Sequence, residues 1–309
     1  MLAIFLKTLP FFAIIALGYG SGRLKFFSVE ATGYLTKFVF YFALSAMLFG
    51  FAANLDLSAV FSWGFVWAYL LASVLIWALV GGAALIRGAG PEEAVFEAHT
   101  GVIGNVGFLG IPMLSLLLGP QAVGPVLMVL AVDLVVFSTV LTLVITGLRG
   151  GTVGLAMVAG LVMGLLRNPM IVSVVLGLAW GATGWALPVP VNEFMTTLGA
   201  AATPCALFAI GASLAGRSPE RMGVALWLSF AKLVLHPVAV AVAALWVFDV
   251  EAYAAGVMIA AAALPVAGNV FILAQHYRVA PQRVSTSILI STAVSVLTVT
   301  AVIAMVGWI

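Results

Sequence analysis

The segment 59–86 (AVFSWGFVWAYLLASVLIWALVGGAALI) contains no Asp, Glu, Lys or Arg. About 20 consecutive apolar residues suffice for a helix to cross the hydrocarbon of a bilayer. The texture is general, since 64% of the 309 residues are hydrophobic and 7% are charged, whereas a soluble domain is about a quarter charged. Water-soluble folds are thereby excluded. Charged or Gly/Pro-rich breaks leave ten runs: 2–20, 30–53, 59–86, 93–118, 122–147, 168–187, 192–215, 221–247, 251–276 and 283–307. They are apolar throughout rather than alternating, which predicts membrane helices and not barrel strands. The start lacks a basic n-region and reads as the first span, not as a cleaved signal peptide.

The Lys and Arg residues between runs set the expected orientation. Arg23, Lys25, Arg87, Arg149, Arg167, Arg217, Arg221, Arg278 and Arg283 fall on one side, and only Lys7 on the other. The positive-inside rule puts the nine in the cytoplasm and, with an even number of spans, both termini outside. Because these cations are spread along the chain, the net charge of +2 does not point to nucleic acid. A single cysteine, Cys205, excludes disulfides and Cys-based metal sites.

The apolar connection 150–167 separates five runs, within 1–149, from five more, within 168–309. It is expected to lie along the interface as a linker. An odd number of helices before it turns the second set upside down, which is the arrangement of an inverted repeat. Short internal matches support this. SAMLFGFA (45–52) corresponds to PCALFAIGA (204–212) in the second and seventh runs, and GNVGF (104–108) to GNVF (268–271) in the fourth and ninth.

The fourth and ninth runs are both interrupted, by HTGVIGNVGFLGIPM (99–113) and AAALPVAGNVFILAQHY (261–277). Irregular backbone at membrane depth is tolerated where it lines a cavity. A pair of breaks at equivalent ranks, with Gly104 and Asn105 in one and Pro265, Gly268 and Asn269 in the other, points to a binding site at their crossing. Half-helix N-termini there suit a carboxylate or phosphate, but the two C-terminal half-ends are equally negative. An amide can donate or accept, so neither anion nor cation is chosen at this point.

Asp133 in the fifth run and Lys232 in the eighth flank the broken runs, and neither should face lipid. They read either as an ion pair or charge compensation of helix ends, or as a proton or ion relay. Lys37 is expected to snorkel and His236 to be a packed histidine. Glu97, His99 and His276 are expected to be solvated at the boundary. The Ser/Thr stripes (Ser287, Ser291, Ser295, Thr298; Ser138, Thr142, Thr146) and the Gly177/Gly181 pair read as helix packing. The histidines lack metal-ligand spacing. No nucleophile and base pair or phosphate-binding loop is present, so neither an enzyme, nor ATP-driven transport, nor a cofactor is expected.

The stretches LTKFVFYFALSAMLF (35–49), GNVGFLGIPM (104–113), RNPMIVSVVLGL (167–178), ATPCALFAIGASLAG (202–216) and LPVAGNVFILAQHY (264–277) resemble the auxin efflux carrier family, which includes bacterial organic-acid permeases and plant PIN-type carriers. The resemblance implies two inverted five-helix repeats with spans four and nine crossed. It also implies a homodimer working by elevator-type alternating access in a plasma membrane, here a bacterial inner membrane. Spans one, two, six and seven would be the scaffold and the rest the moving core. The substrate would be a small organic anion, a dicarboxylate or an indole-type acid, held by Asn105 with Gly104 and Pro265. Ser45 stands where the family usually has proline, and Gly104 where the plant carriers have proline. Sodium/proton antiporters share crossed broken helices flanked by an Asp and a Lys, so a cation/proton antiporter, or symport coupled to protons or sodium, is the alternative. Asp133 has no second carboxylate beside it to complete a sodium site.

Overall fold

The computed structural model describes residues 2–55, 61–150, 155–216 and 221–306. Arg217 and residues 151–154 of the expected linker lie outside the described residues. The described residues form helices with no strand, joined by one isolated antiparallel bridge.

In chain order the helices are α1 (Leu2–Arg23), α2 (Val29–Ala53), α3 (Trp63–Ile86), α4 (Pro91–Val102), α5 (Val106–Leu118), α6 (Pro120–Leu148), α7 (Leu155–Leu166), α8 (Pro169–Gly181), α9 (Val189–Ala215), α10 (Met222–Val247), α11 (Ala252–Ala262), α12 (Gly268–Tyr277) and α13 (Pro281–Val306). Seven of them, α1, α2, α3, α6, α9, α10 and α13, are long and apolar enough to cross a membrane. The difference from the ten runs of the sequence has a local cause. The fourth and ninth runs are each split into two short helices, and the sixth forms a helix of only 13 residues.

Local chemistry sets the ends. Ser28 and Ser62 cap α2 and α3 through their hydroxyls, and Asn168 caps α8 ahead of Pro169 at its first position. Glu251 caps α11 by accepting from the Tyr253 and Ala254 amides. Pro91 opens α4 with Glu92 and Glu93 in the first turn, where the helix dipole favours negative charge. Gly119, at φ 99°, turns the chain from α5 into α6.

Among the described residues, α1 with α9 and α8 with α2 approach closely enough for backbone to meet backbone. A Cβ placed on Gly211 of α9 would stand 1.9 Å from the Ile15 carbonyl oxygen of α1, and one on Gly18 would stand 2.1 Å from that of Phe208. Gly177 of α8 packs in the same way on α2, where a Cβ would lie 2.7 Å from Ala52 and from the Phe49 carbonyl oxygen. The expected packing role of Gly177 is met by this contact.

At one end of the bundle, Glu97 of α4 bonds Arg87 and Arg283, and Arg283 also reaches Glu93 at 3.2 Å. Arg87, Arg221, Arg283 and Glu93 line a cavity of about 290 Å³ there. Arg149 pairs with Glu92 and donates to the Tyr277 carbonyl at the same end. Thus α3 ends where α10 begins, and α6 ends where α13 begins.

Candidate functional site

Both interruptions fall at one place. After Val102 the chain turns extended at Ile103, and α5 starts at Val106. After Ala262 it runs irregularly through Pro265 before α12 starts at Gly268. Proline removes a backbone donor and crowds the preceding turn, which favours the end of α11 here, although α1 runs on through Pro10. The freed backbone groups find each other. Gly104 and Val266 pair as an antiparallel bridge, the Asn105 amide donates to the Pro265 carbonyl at 2.8 Å, and the Ala267 amide donates to the Ile103 carbonyl at 3.1 Å. Ser291 of α13 accepts from the Val266 amide at 3.1 Å. The crossing of the broken helices is therefore present, and the starts of α5 and α12 both face it.

Gly104, Asn105 and Pro265 meet at the crossing. Asn105 is buried, and its carbonyl accepts from the Leu109 and Gly110 amides. Gly268 and Asn269 open α12 and are half-buried. A Cβ on Gly268 would meet nothing within 4 Å, whereas one on Gly104 would be 3.2 Å from both Cε and Nζ of Lys232. Oδ1 of Asn269 has no hydrogen-bond partner among the described residues. Space and an unpaired polar atom thus lie on the α12 side of the crossing.

Lys232 is fully buried in a wide π-type turn of α10, Ala231–Leu235, and Asp133 is buried in a similar turn of α6, Val132–Phe137. Such turns swing side chains out of the regular helical register and recur at functional sites. The Lys232 ammonium donates to the Ala262 carbonyl at the last residue of α11 and lies 3.2 Å from Nδ1 of His236. Asp133 Oδ1 accepts from the Tyr69 hydroxyl at 2.9 Å, while Oδ2 has no partner among the described residues. The direct Asp133–Lys232 ion pair weighed from the sequence is not among the ion pairs of the described residues. Lys232 serves a helix end instead, and Asp133 holds a phenol.

Other expectations need correction. Glu97 and His99 are not solvated at a boundary: both are buried, because α13 starts with Arg283 folded over α4. Arg283 itself is 5% exposed, a structural ion-pair partner and not a free loop cation. His276 is exposed, as is Lys37, whose ammonium lies 5.7 Å from the Tyr34 ring. His236 is packed, with Nε2 3.0 Å from the Ser73 hydroxyl. Sequence reasoning missed Tyr69 and Ser73 of α3 and read Ser291 as packing alone. The signal for the first two is their i, i+4 spacing on one face of a charge-free span. Among the described residues no group of three His, Cys, Asp or Glu side chains is arranged to hold a metal ion.

The family described as "Membrane transport protein" matches the chain twice, over residues 3–153 and 153–303. The chain is also similar to a protein of Rhizobium meliloti (strain 1021) named "Putative malonate transporter", at 32% identity over 298 residues, which cover 96% of this chain and 93% of that one. The chain belongs to this membrane transport family, that of the auxin efflux carriers, and is a multi-pass membrane transport protein rather than an enzyme.

Proposed function

We propose that the protein is a secondary carrier of small organic anions, with dicarboxylates of malonate size as first candidates, and that it binds a carboxylate where the broken helices cross. The carrying observation is the position of Lys232. Four half-helix ends meet at the crossing, two of each sign, and the Lys232 ammonium already occupies the negative end of α11 at Ala262. A cation would find that end taken. The starts of α5 and α12 keep their partial positive charge and their amides without intrahelical partners. Asn105, Asn269, Gly268, Gly104 and Pro265 form the site in this reading, with the open space beside Gly268 admitting the anion. The antiporter alternative is less well supported, because Asp133 has one oxygen committed to Tyr69 and, among the described residues, no group of acidic or His side chains that would help bind sodium.

The double family match supports two repeats, 1–149 and 168–309, joined by the interfacial linker 150–167. The end-to-start meetings of α3 with α10 and of α6 with α13 support their inversion. In this reading α1, α2, α8 and α9 are the scaffold of a homodimer, and the remaining helices carry the crossing across a bacterial inner membrane in an elevator movement. The arginine-rich end faces the cytoplasm and both termini face outward.

The test is a thermal-shift and calorimetric screen of purified protein against malonate, malate, indole-3-acetate, sodium and lithium. Stabilisation by a carboxylate, lost in Asn105→Ala, is the expected result. Stabilisation by sodium or lithium alone overturns the reading.

A further inference from the structure

Five buried side chains form a continuous line between the two membrane-embedded charges. Lys232 Nζ lies 3.2 Å from His236 Nδ1, His236 Nε2 lies 3.0 Å from Ser73 Oγ, Ser73 stands one turn along α3 from Tyr69 and interacts with its hydroxyl, and the Tyr69 hydroxyl lies 2.9 Å from Asp133 Oδ1. All five are buried. With Lys232 and Asp133 both ionised, the donor directions follow. An ammonium has only protons to give, so His236 Nδ1 accepts. The neutral imidazole then carries its proton on Nε2 and donates it to Ser73. At the far end an ionised carboxylate only accepts, so Tyr69 donates to Asp133 and its oxygen is left to accept from Ser73. Every link points the same way, from Lys232 to Asp133.

We propose that His236, Ser73 and Tyr69 are a proton wire joining Lys232 to Asp133, by which the carrier takes up a proton together with its anion. The proposal rests on the anion-carrier reading for its substrate and on the geometry above for the wire.

One transfer moves one proton at each link. The Lys232 ammonium gives a proton to His236 Nδ1, Nε2 gives its own to Ser73, Ser73 passes its hydroxyl proton to Tyr69, and Tyr69 passes its own to the Asp133 carboxylate. Lys232 ends as a neutral amine and Asp133 as a carboxylic acid, while the three middle groups end with the protons they began with, redistributed. Charge is conserved. Reprotonation of Lys232 by a proton from bulk solution then leaves the protein with one proton more than at the start, which offsets one negative charge of the bound anion.

The site of this exchange makes it matter for transport. Lys232 Nζ bonds the last carbonyl of α11, and Gly104 brings the other break within van der Waals reach of the same ammonium. Loss of that charge changes the electrostatics of the crossing itself, so proton position and anion occupancy are linked and the coupling is reciprocal. The remaining buried ionisable groups on the helices packed round the wire are Glu97 and His99 of α4 and Arg283 of α13, while Glu92 and Glu93 of α4 and Tyr253 of α11 lie nearer the surface. Glu97 and Arg283 are bonded to one another, and His99 has no hydrogen-bond partner among the described residues, so none of the three branches the line.

Two isosteric breaks test the wire, Tyr69→Phe and Ser73→Ala, in reconstituted vesicles with malonate as probe. Wild type should take up malonate faster down a proton gradient, with a trapped pH dye recording proton entry. Each variant should lose that stimulation by about tenfold or more, the scale of a displaced proton-transfer group, while keeping malonate counterflow at equal pH. Unchanged stimulation in both variants overturns the wire. Absence of counterflow in wild type would instead count against the anion reading. A substrate-free measurement then judges the wire by itself. After an acid pH jump, infrared difference spectra should show a carboxylic-acid band that Asp133→Asn abolishes and that Ser73→Ala and Tyr69→Phe delay by about tenfold. A band that rises equally fast in all three, or no such band, overturns the proposal.

Discussion

The α1–α9 contact and the crossing of α4–α5 with α11–α12 are both places where backbone meets backbone, yet they are built from opposite materials. Between α1 and α9 the backbone groups are already satisfied within each helix, so close approach needs only the missing side chains of Gly18 and Gly211. At the crossing the helices have ended and their amides and carbonyls are exposed to one another. Those groups need partners, and Lys232, Ser291 and the opposite break supply them. One contact is therefore sensitive to volume and the other to polarity. That is the division expected between a rigid surface and a site.

The strongest test of this division is Gly211→Leu. With the Ile15 carbonyl 1.9 Å from any Cβ, the side chain cannot be accommodated by rotamer change, and the cost should exceed the about 3 kcal/mol of ordinary overpacking. The variant should fail to elute as a single species in mild detergent, whereas Gly211→Ala should be damaged but recoverable. If Gly211→Leu behaved as wild type, α1 and α9 would not be in contact as described.

Glu97→Gln follows in size. The substitution keeps volume and removes the charge that holds Arg283, which is 5% exposed, together with Arg87. Breaking a buried ion pair costs about 3–5 kcal/mol, and the 3.2 Å contact of Arg283 with Glu93 remains to offset part of that loss. The melting temperature should fall markedly, and Glu97→Gln combined with Arg283→Met should recover part of the loss. A single variant as stable as wild type would return Glu97 to the solvated boundary position that the sequence suggests.

This misreading marks where sequence reasoning stops. The crossing was legible because its cause is local. Glycines, Pro265 and two Asn residues in otherwise apolar runs are poor helix material, and their equal ranks in the two halves pair them. The partners were not legible because they are distant and chemically plain. Lys232 satisfies a backbone carbonyl 30 residues away, and no side-chain pattern encodes that. Tyr69 and Ser73 are lone hydroxyls in an apolar span and read as packing until Asp133 and His236 are seen against them. Glu97 is the seventh residue of its helix and looks peripheral, but α13 begins over it. Opposite sign alone suggested pairing Asp133 with Lys232. The structure gives each a different partner.

Polarity at the crossing is probed by Asn105→Ala. Folding should survive, because the backbone bonds of residue 105 to Pro265, Leu109 and Gly110 do not involve its side chain. Malonate affinity should fall by about tenfold to a hundredfold, the equivalent of one hydrogen bond to a charged group at about 1.5–3 kcal/mol. Calorimetric titration checks it, and wild-type affinity would remove the amide from the site. Pro265→Ala should act more weakly. The carbonyl that receives the Asn105 amide remains, but the new N–H lets α11 extend and competes with the bridge. Transport should drop while thermal stability holds or rises. Full activity would show that the crossing itself, not the proline, maintains the break.

The smallest effect is expected from Glu92→Gln, which loosens the broken helices at their surface ends without touching the crossing. The Glu92 carboxylate accepts from Arg149 Nε at 2.9 Å and Nη2 at 2.8 Å, and Arg149 also donates to the Tyr277 carbonyl at 2.7 Å. The start of α4 and the end of α12 are thereby tied to the end of α6. The Arg149 hydrogen bonds hold the Glu92 carboxyl below its ordinary 4.5, with slight burial opposing them. A depressed folded-state value means that the pair's stabilisation is fully present above pH 4.5 and is lost as pH falls through the folded value. Wild type should therefore melt slightly above Glu92→Gln at neutral pH, the difference should shrink only on the acid side of 4.5, and salt should reduce it, since the pair is exposed. A melting series from neutral to acid pH at low and high salt checks all three. A difference that survives acidification would mean that Glu92 acts through packing, and one as large as that of Glu97→Gln would mean that the surface ends hold the crossing together as firmly as the buried network does.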